Sequence, residues 1–283
     1  MLTYYRIVLI GFLFLAVPVQ AQVFWSVSDA DGNQNWLLGT VHSEEPRLLE
    51  FPDELLEALE SSERLALELV PDAGMLDELN RAMHYDSDRL EEVLGSELYA
   101  EVVALMERHY GMGEPAVRRM RPWAVAMTLS IPAPETGLFM DLALSFRASG
   151  MGVEVMALET LDEQLNFLAG IDKPGQIALV RQAVEEFDQM KEMFEALIGA
   201  YLDGDLDRLE KLSRAEIDRM DPNLAAHFDQ VGLVERNHRM VERALPYLRK
   251  GGLMIAVGAL HLPGEDGLIE LLRAEGFRVE GVY

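Results

Sequence analysis

Apolar runs of strand length cluster near the two ends of the chain, and helical periodicity fills the middle. Asn35 to Val41 (NWLLGTV) follows the turn signal Asp31-Gly32-Asn33, and Arg64 to Val70 (RLALELV) follows a short amphipathic stretch beginning near Pro52-Asp53. Gly152 to Leu158, Gly252 to Ala259 and Phe277 to Val282 are three more such runs, and Val23 to Val27 pairs with Asn35 to Val41 as an edge hairpin. Short apolar runs bounded by Gly or Pro indicate sheet covered on both faces. Between them, Leu90 to Tyr110, Arg121 to Ser130, Leu138 to Ser149, Pro174 to Leu202, Asp205 to Met220 and Val231 to Leu248 repeat apolar residues at i, i+3, i+4 and i+7. Gly264 to Glu275 adds a helix between the last two strands, forming a βαβ unit of right-handed sense. The pattern predicts an α/β fold: a mixed or parallel central sheet built from N- and C-terminal strands, interrupted by a large helical insertion at about 80–150 and 165–248. First and last strands must share that sheet, so residues 22–283 are expected to form a single domain.

Residues 1–21 form a different kind of segment. Arg6 precedes eleven uncharged, mostly apolar residues, Ile7 to Val17, and Val19-Gln20-Ala21 places small residues before Gln22. That is the form of a secretory signal peptide; a spanning helix needs about 20 apolar residues. The expectation is an exported protein, periplasmic or secreted, with no membrane attachment after cleavage.

Composition narrows the chemistry. The 49 Asp and Glu against 24 Lys and Arg give a formal charge of −25, which opposes nucleic acid and anionic lipid alike. There is no Cys, which removes disulfides, thiolate metal sites and cysteine nucleophiles. HExxH, GxSxG, Walker A and GxGxxG motifs are absent as well.

The informative feature is a repeated phrase. Trp36 to His42 is an apolar strand running into Gly39-Thr40-Val41-His42, and Met254 to His261 runs into Gly258-Ala259-Leu260-His261. The chain's 22 Gly and 6 His in random order would give about 0.5 such matches, so the strand context carries the weight. In open α/β sheets ligands bind outside the carboxyl ends of the strands, where two imidazoles would converge on one crevice. Glu68 and Glu159 each finish an apolar strand, and an ionised carboxylate there asks for a partner. Two imidazoles with one or two carboxylates suit a divalent ion such as Zn, Mn or Co. The candidate ligands are therefore His42, His261, Glu68 and Glu159. Glu154 alternates outward as a structural residue, and Glu159 alternatively serves a helix start at Thr160. Arg236 could clamp an anionic group or stabilise developing negative charge, or lie on a solvated helix face. His238 is expected at the surface, and His84, His109 and His227 lie in helical stretches; Met190, Met193, Met220 and Met240 are expected in the core.

These phrases resemble the TraB/GumN family, which includes the Tiki metalloproteases, and fit best its bacterial GumN-like branch. The resemblance rests on both Gly-x-x-His motifs, the acid at Glu68, Leu158-Glu159-Thr160, Glu235-Arg236-Asn237 and the closing GLIELLRAEGFRVEGV. It implies a fold related to erythromycin esterase and ChaN-like proteins, and metal-dependent hydrolysis of a peptide or small-molecule substrate. It also carries catalytic roles to Glu68, Arg236 and Asn237, Arg236 as the stabiliser of a tetrahedral oxyanion. Two alternatives remain open: a ChaN-type protein binding haem or another ligand in the same crevice, and a metal-independent esterase-like hydrolase with His42 or Glu68 as general base.

Overall fold

The computed structural model describes residues 22–283, and the expected signal peptide lies outside them. Six strands form one mixed sheet: β1 (Phe24–Ser28), β2 (Gln34–Thr40), β3 (Arg64–Leu67), β4 (Glu154–Ala157), β5 (Leu253–Gly258) and β6 (Arg278–Gly281), in the order β4-β3-β5-β2-β1-β6. β2, β5, β3 and β4 run parallel, while β1 pairs antiparallel with both β2 and β6. The α/β fold read from the hydrophobic pattern is the one observed, with strands from both ends of the chain in one sheet and the helices inserted between them.

Local chemistry explains the framework. The β1–β2 turn closes because the Asp29 carboxylate accepts the main-chain N–H groups of Asp31 and Asn33, at 3.0 and 2.9 Å. Gly32 there adopts a φ of 85°, which Gly alone tolerates without cost. The inner strands are apolar on both faces: Leu37, Leu38, Leu65, Leu67 and Met254 to Val257 are buried. Buried Asn35 joins β2 to the end of the helix Glu235–Leu248, donating to the Leu248 carbonyl at 2.9 Å and accepting the Leu253 N–H at 3.0 Å. β4, at the sheet edge, is only partly covered, and Glu154 there pairs with Arg64 of β3 at 3.0 Å.

Helices and breaks differ from the periodicity in three places. The stretch expected as one helix from Leu90 splits into Leu90–Leu94 and Ser96–Tyr110 at Gly95, whose φ is 82°. The stretch from Pro174 splits into Lys173–Glu185 and Phe187–Leu202. Ahead of Glu235–Leu248, residues Phe228–Val234 wind as a π-helix, a wide form associated with functional sites. Apolar periodicity runs through the first two breaks, where Leu94, Leu98, Val180 and Phe187 stay buried, whereas the π-helix shifts the phase of the helix after it. The inserted helices also carry a core of their own, around Val102, Met106, Trp123, Val125 and Val180.

Candidate active site

The carboxyl ends of the four parallel strands each deliver one candidate residue. In sheet order they are Glu159 after β4, Glu68 after β3, His261 after β5 and His42 after β2. This edge of the sheet is where an α/β crevice forms. The side chains are nevertheless engaged in different ways.

Glu68 and Glu159 are bound together by Arg236. The guanidinium donates from Nε to both oxygens of Glu159, at 3.0 and 3.1 Å, and from Nη2 to Glu159 and Glu68, each at 2.6 Å. Its Nη1 donates to the Gly232 carbonyl at 3.3 Å. The π-helix therefore supplies a wall that holds the guanidinium, while the next helical residue, Asn237, is aimed elsewhere. Gln164 donates to Glu68 at 3.1 Å and to Glu159 at 3.2 Å. It reaches them because Thr160 and Glu163 form a capping box that starts the helix Leu161–Ala169. Burial opposes the charge on Arg236, but the hydrogen bond to Glu159 and the charge of Glu68 outweigh it and raise its pKa further. The Glu159 side chain is fully buried (0% exposed) and that of Glu68 is 25% exposed.

Glu68 keeps one oxygen for the other half of the site. Oε1 accepts the main-chain N–H of Gly258 at 2.7 Å and lies 3.8 Å from Nε2 of His261. Burial works against the Glu68 charge, yet His261 when protonated, Arg236 and the Gly258 N–H hold its carboxyl below the usual range. Gly258 keeps space for the carboxylate: a Cβ there would stand 3.2 Å from Oε1 of Glu68 and push it by a few tenths of an ångström. Gly39 is equally confined, since its Cβ would meet Ala259 at 3.0 Å, and the Tyr201 hydroxyl donates to the Gly39 carbonyl at 2.8 Å. The two Gly-x-x-His phrases thus pack against each other along the β2–β5 pairing.

His261 is buried (4% exposed) in the short turn Ala259–His261, with Nδ1 2.6 Å from Oδ1 of Asn237. Burial lowers its pKa, the Glu68 charge offsets part of that, and Arg236 lowers it again, favouring the neutral ring. His42 is its opposite. Its side chain is 65% exposed, stacked on Phe139 at 4.0 Å between ring centroids, with Nδ1 3.7 Å from Asp141. Asp141 is itself fixed by the Thr40 hydroxyl at 2.6 Å.

His42, Arg236, Gly258 and His261 line one cavity of about 320 Å³. Its remaining wall is mainly apolar, with Phe167, Leu197, Leu209, Phe228 and Leu233. A second cleft of about 600 Å³ lies on the other side of His42, between the β2 exit and the inserted helices, with Glu45, Tyr110, Phe139 and Glu195 on its walls. His42 alone contributes to both.

Among the described residues no three His, Asp or Glu side chains gather closely enough to hold one ion. His261 Nε2 and Glu68 Oε1 are two donors of suitable chemistry. Ligand bonds of about 2.0–2.2 Å let two donors flanking one ion stand up to about 4.3 Å apart, and the 3.8 Å separation falls within that reach. Glu159 is engaged by Arg236, and His42 stands at the rim, so the set fits an ion at two positions and lacks a fixed third.

The other sequence candidates lie outside this network. His238 is exposed beside Asp266 at 3.2 Å, His84 bonds the Asn80 carbonyl, and His227 bonds that of Phe167. His109 stacks on Phe187 at the second cleft. Met240 is fully buried and Met190 packs against the core of the inserted helices. Sequence reasoning passed over Gln164 and Asp141. A capping box four residues before Gln164 was available as a signal for the first; Asp141, in a helix 101 residues from Thr40, carried none.

Comparison with known proteins agrees on one family. The profile of the TraB/PrgY/gumN family matches residues 23–281. An uncharacterized protein of Treponema pallidum (strain Nichols) is 23% identical, covering 89% of this chain and 80% of its own length. Metalloprotease TIKI1 of Danio rerio is 25% identical over 87% of this chain, and Metalloprotease TIKI2 of the same fish is 24% identical over 57%. The matches span 60% and 37% of those two proteins. No solved structure matches.

Proposed function

This chain belongs to the TraB/PrgY/gumN family, and on that premise we propose that it is an exported hydrolase of peptide or ester bonds centred on Glu68 and His261. The observation that carries the reading is the pair itself: Nε2 of His261 lies 3.8 Å from Oε1 of Glu68, and His261 lines a cavity at the end of β5. A polar separation of that length has room for a bridging water. In this reading Nε2 of His261 takes the proton of the attacking water, and the Glu68 charge stabilises the imidazolium that results. Arg236 holds Glu68 in place and keeps it ionised, with Glu159 and Gln164 as its anchors. The apolar wall suits a substrate carrying an aliphatic or aromatic group beside the scissile bond.

Metal dependence is a second form of the proposal, supported by the names of the two Danio relatives, in which Nε2 of His261 serves as a ligand instead of the base. His261 and Glu68 would hold a divalent Zn, Mn or Co ion, with His42 as the available third side chain. Such an ion polarises a carbonyl and lowers the pKa of bound water. Export rests on the Arg6 to Ala21 pattern; among the described residues no helix is long and apolar enough to cross a membrane.

The test is elemental analysis of the purified protein, followed by a screen of peptides and esters with and without chelator. Glu68→Gln and His261→Ala should each lower turnover by at least about 100-fold. Full activity in both variants refutes the assignment, and full activity in chelator removes the metal while leaving the pair.

A further inference from the structure

Asn237 is buried (3% exposed), and its carboxamide is held at both ends. Its Nδ2 donates to the main-chain oxygen of Asp266 at 2.7 Å. A carbonyl oxygen can only accept, so this contact decides which way the carboxamide faces. Oδ1 is then the atom presented to His261, 2.6 Å from Nδ1. Oδ1 also can only accept, so Nδ1 carries the hydrogen. A neutral imidazole has a single N–H, and Nε2 is left with a lone pair on the side of Glu68.

We propose that Asn237, anchored on Asp266, is the positioning residue that selects the Nδ1–H tautomer of His261 and so makes Nε2 the reactive nitrogen. In water a free imidazole prefers the opposite tautomer, with hydrogen on Nε2. Without Asn237 that hydrogen would point at Glu68 Oε1, an ionised acceptor, and the ring would lose its lone pair on the cavity side. The same helical turn reaches Asp266 a second time, at the surface, where His238 lies 3.2 Å from its carboxylate. Asp266 belongs to the loop that follows His261, so loop and imidazole are positioned together. The consequence for catalysis rests on the hydrolase reading above; the tautomer rests on the hydrogen-bond geometry of a neutral ring.

The experiment reads the tautomer directly. Long-range ¹H–¹⁵N correlation spectra of the ¹⁵N-labelled, chelator-treated full chain at pH 8, with His261→Gln to assign the ring, report which nitrogen is protonated. The wild type should show protonated Nδ1 and unprotonated Nε2. Asn237→Leu should shift the ring to mainly Nε2–H, whereas Asn237→Asp, which keeps the acceptor, should retain Nδ1–H. With a substrate in hand, Asn237→Leu should lose about 10–100-fold in kcat, and Asn237→Asp, which keeps the acceptor but not the donor to Asp266, should lose less. A wild-type ring protonated on Nε2 overturns the proposal even if Asn237→Leu proves unstable, and so does an unchanged tautomer in a folded Asn237→Leu. Failure to find any hydrolysed substrate would count against the proposed function while leaving the tautomer result standing.

Discussion

Replacing Arg236 by Met is the sharpest probe of the site, because the guanidinium touches both Glu68 and Glu159. Glu159 would keep Gln164 at 3.2 Å while its fully buried carboxylate lost the opposite charge. Removing one partner of a buried ion pair costs about 3–5 kcal/mol, a large part of the roughly 5–15 kcal/mol that holds a domain folded. For a chain of this size the cost corresponds to a fall in Tm of roughly 5–9 °C. The loss should depend on pH with a defined sign. Two carboxylates crowded together without a cation have folded pKa values raised above the unfolded value of about 4.3. A raised carboxyl pKa destabilises the fold in full above the folded pKa, and the penalty fades as pH falls from there to the unfolded value. The gap between variant and wild type should therefore be widest at pH 8 and shrink at pH 5. Thermal unfolding followed by circular dichroism at both values measures it. Adding Glu159→Gln should restore at least half of the lost stability, since the buried charge goes with its partner. A loss below about 1 kcal/mol at pH 8, or one indifferent to pH and to the second substitution, would refute the reasoning.

Three further outcomes follow from other contacts. Gly258→Ala places a Cβ 3.2 Å from Glu68 Oε1 and should cut turnover by about tenfold or more through misplacement of the carboxylate, with Tm nearly unchanged; steady-state kinetics on any substrate found would check it. Tyr201→Phe removes the donor to the Gly39 carbonyl and should cost about 1–3 kcal/mol in urea unfolding, because a buried acceptor is left unpaired. Glu163, bonded to Arg243 and to the start of its own helix, has its pKa lowered to about 2. A lowered carboxyl pKa gives stability that is complete above the unfolded value of about 4.3 and is lost as pH falls towards 2. Glu163→Gln should accordingly flatten the acid side of the urea-midpoint profile between those values and lower the midpoint at pH 6.

The sheet was legible because its strands obey local rules. Asn35 to Val41 and Gly252 to Ala259 are apolar runs stopped by Gly or by turn residues, and the parallel pairing of β2 with β5 needs both faces covered. The four candidate residues stand out for the same reason, as polar side chains that end such runs. Their partners were not. Arg236 meets carboxylates 77 and 168 residues away, and helical phase alone placed it as readily on a solvated face. The π-helix at Phe228–Val234 resets that phase, and a period-based reading cannot anticipate it. The two histidines looked alike because Gly-x-x-His describes only how each leaves its strand. Burial of His261 and exposure of His42 depend on what comes to cover them, Asn237 in one case and Phe139 in the other.

The charge arrangement bears on the metal reading. Two carboxylates and one guanidinium leave the network with one net negative charge, located at the Glu68 oxygen that faces His261. Arg236 and a divalent ion would therefore bind opposite oxygens of one carboxylate, and each would weaken the other's hold. Loss of Arg236 leaves the same two donors with more negative charge and a less firmly held Glu68, so Arg236→Met should take up Zn or Mn more tightly than wild type in calorimetric titration while turning over substrate more slowly. Tighter metal uptake with slower turnover separates a residue that positions Glu68 from one that merely balances charge; equal affinities in the two proteins would place the ion away from Glu68 altogether.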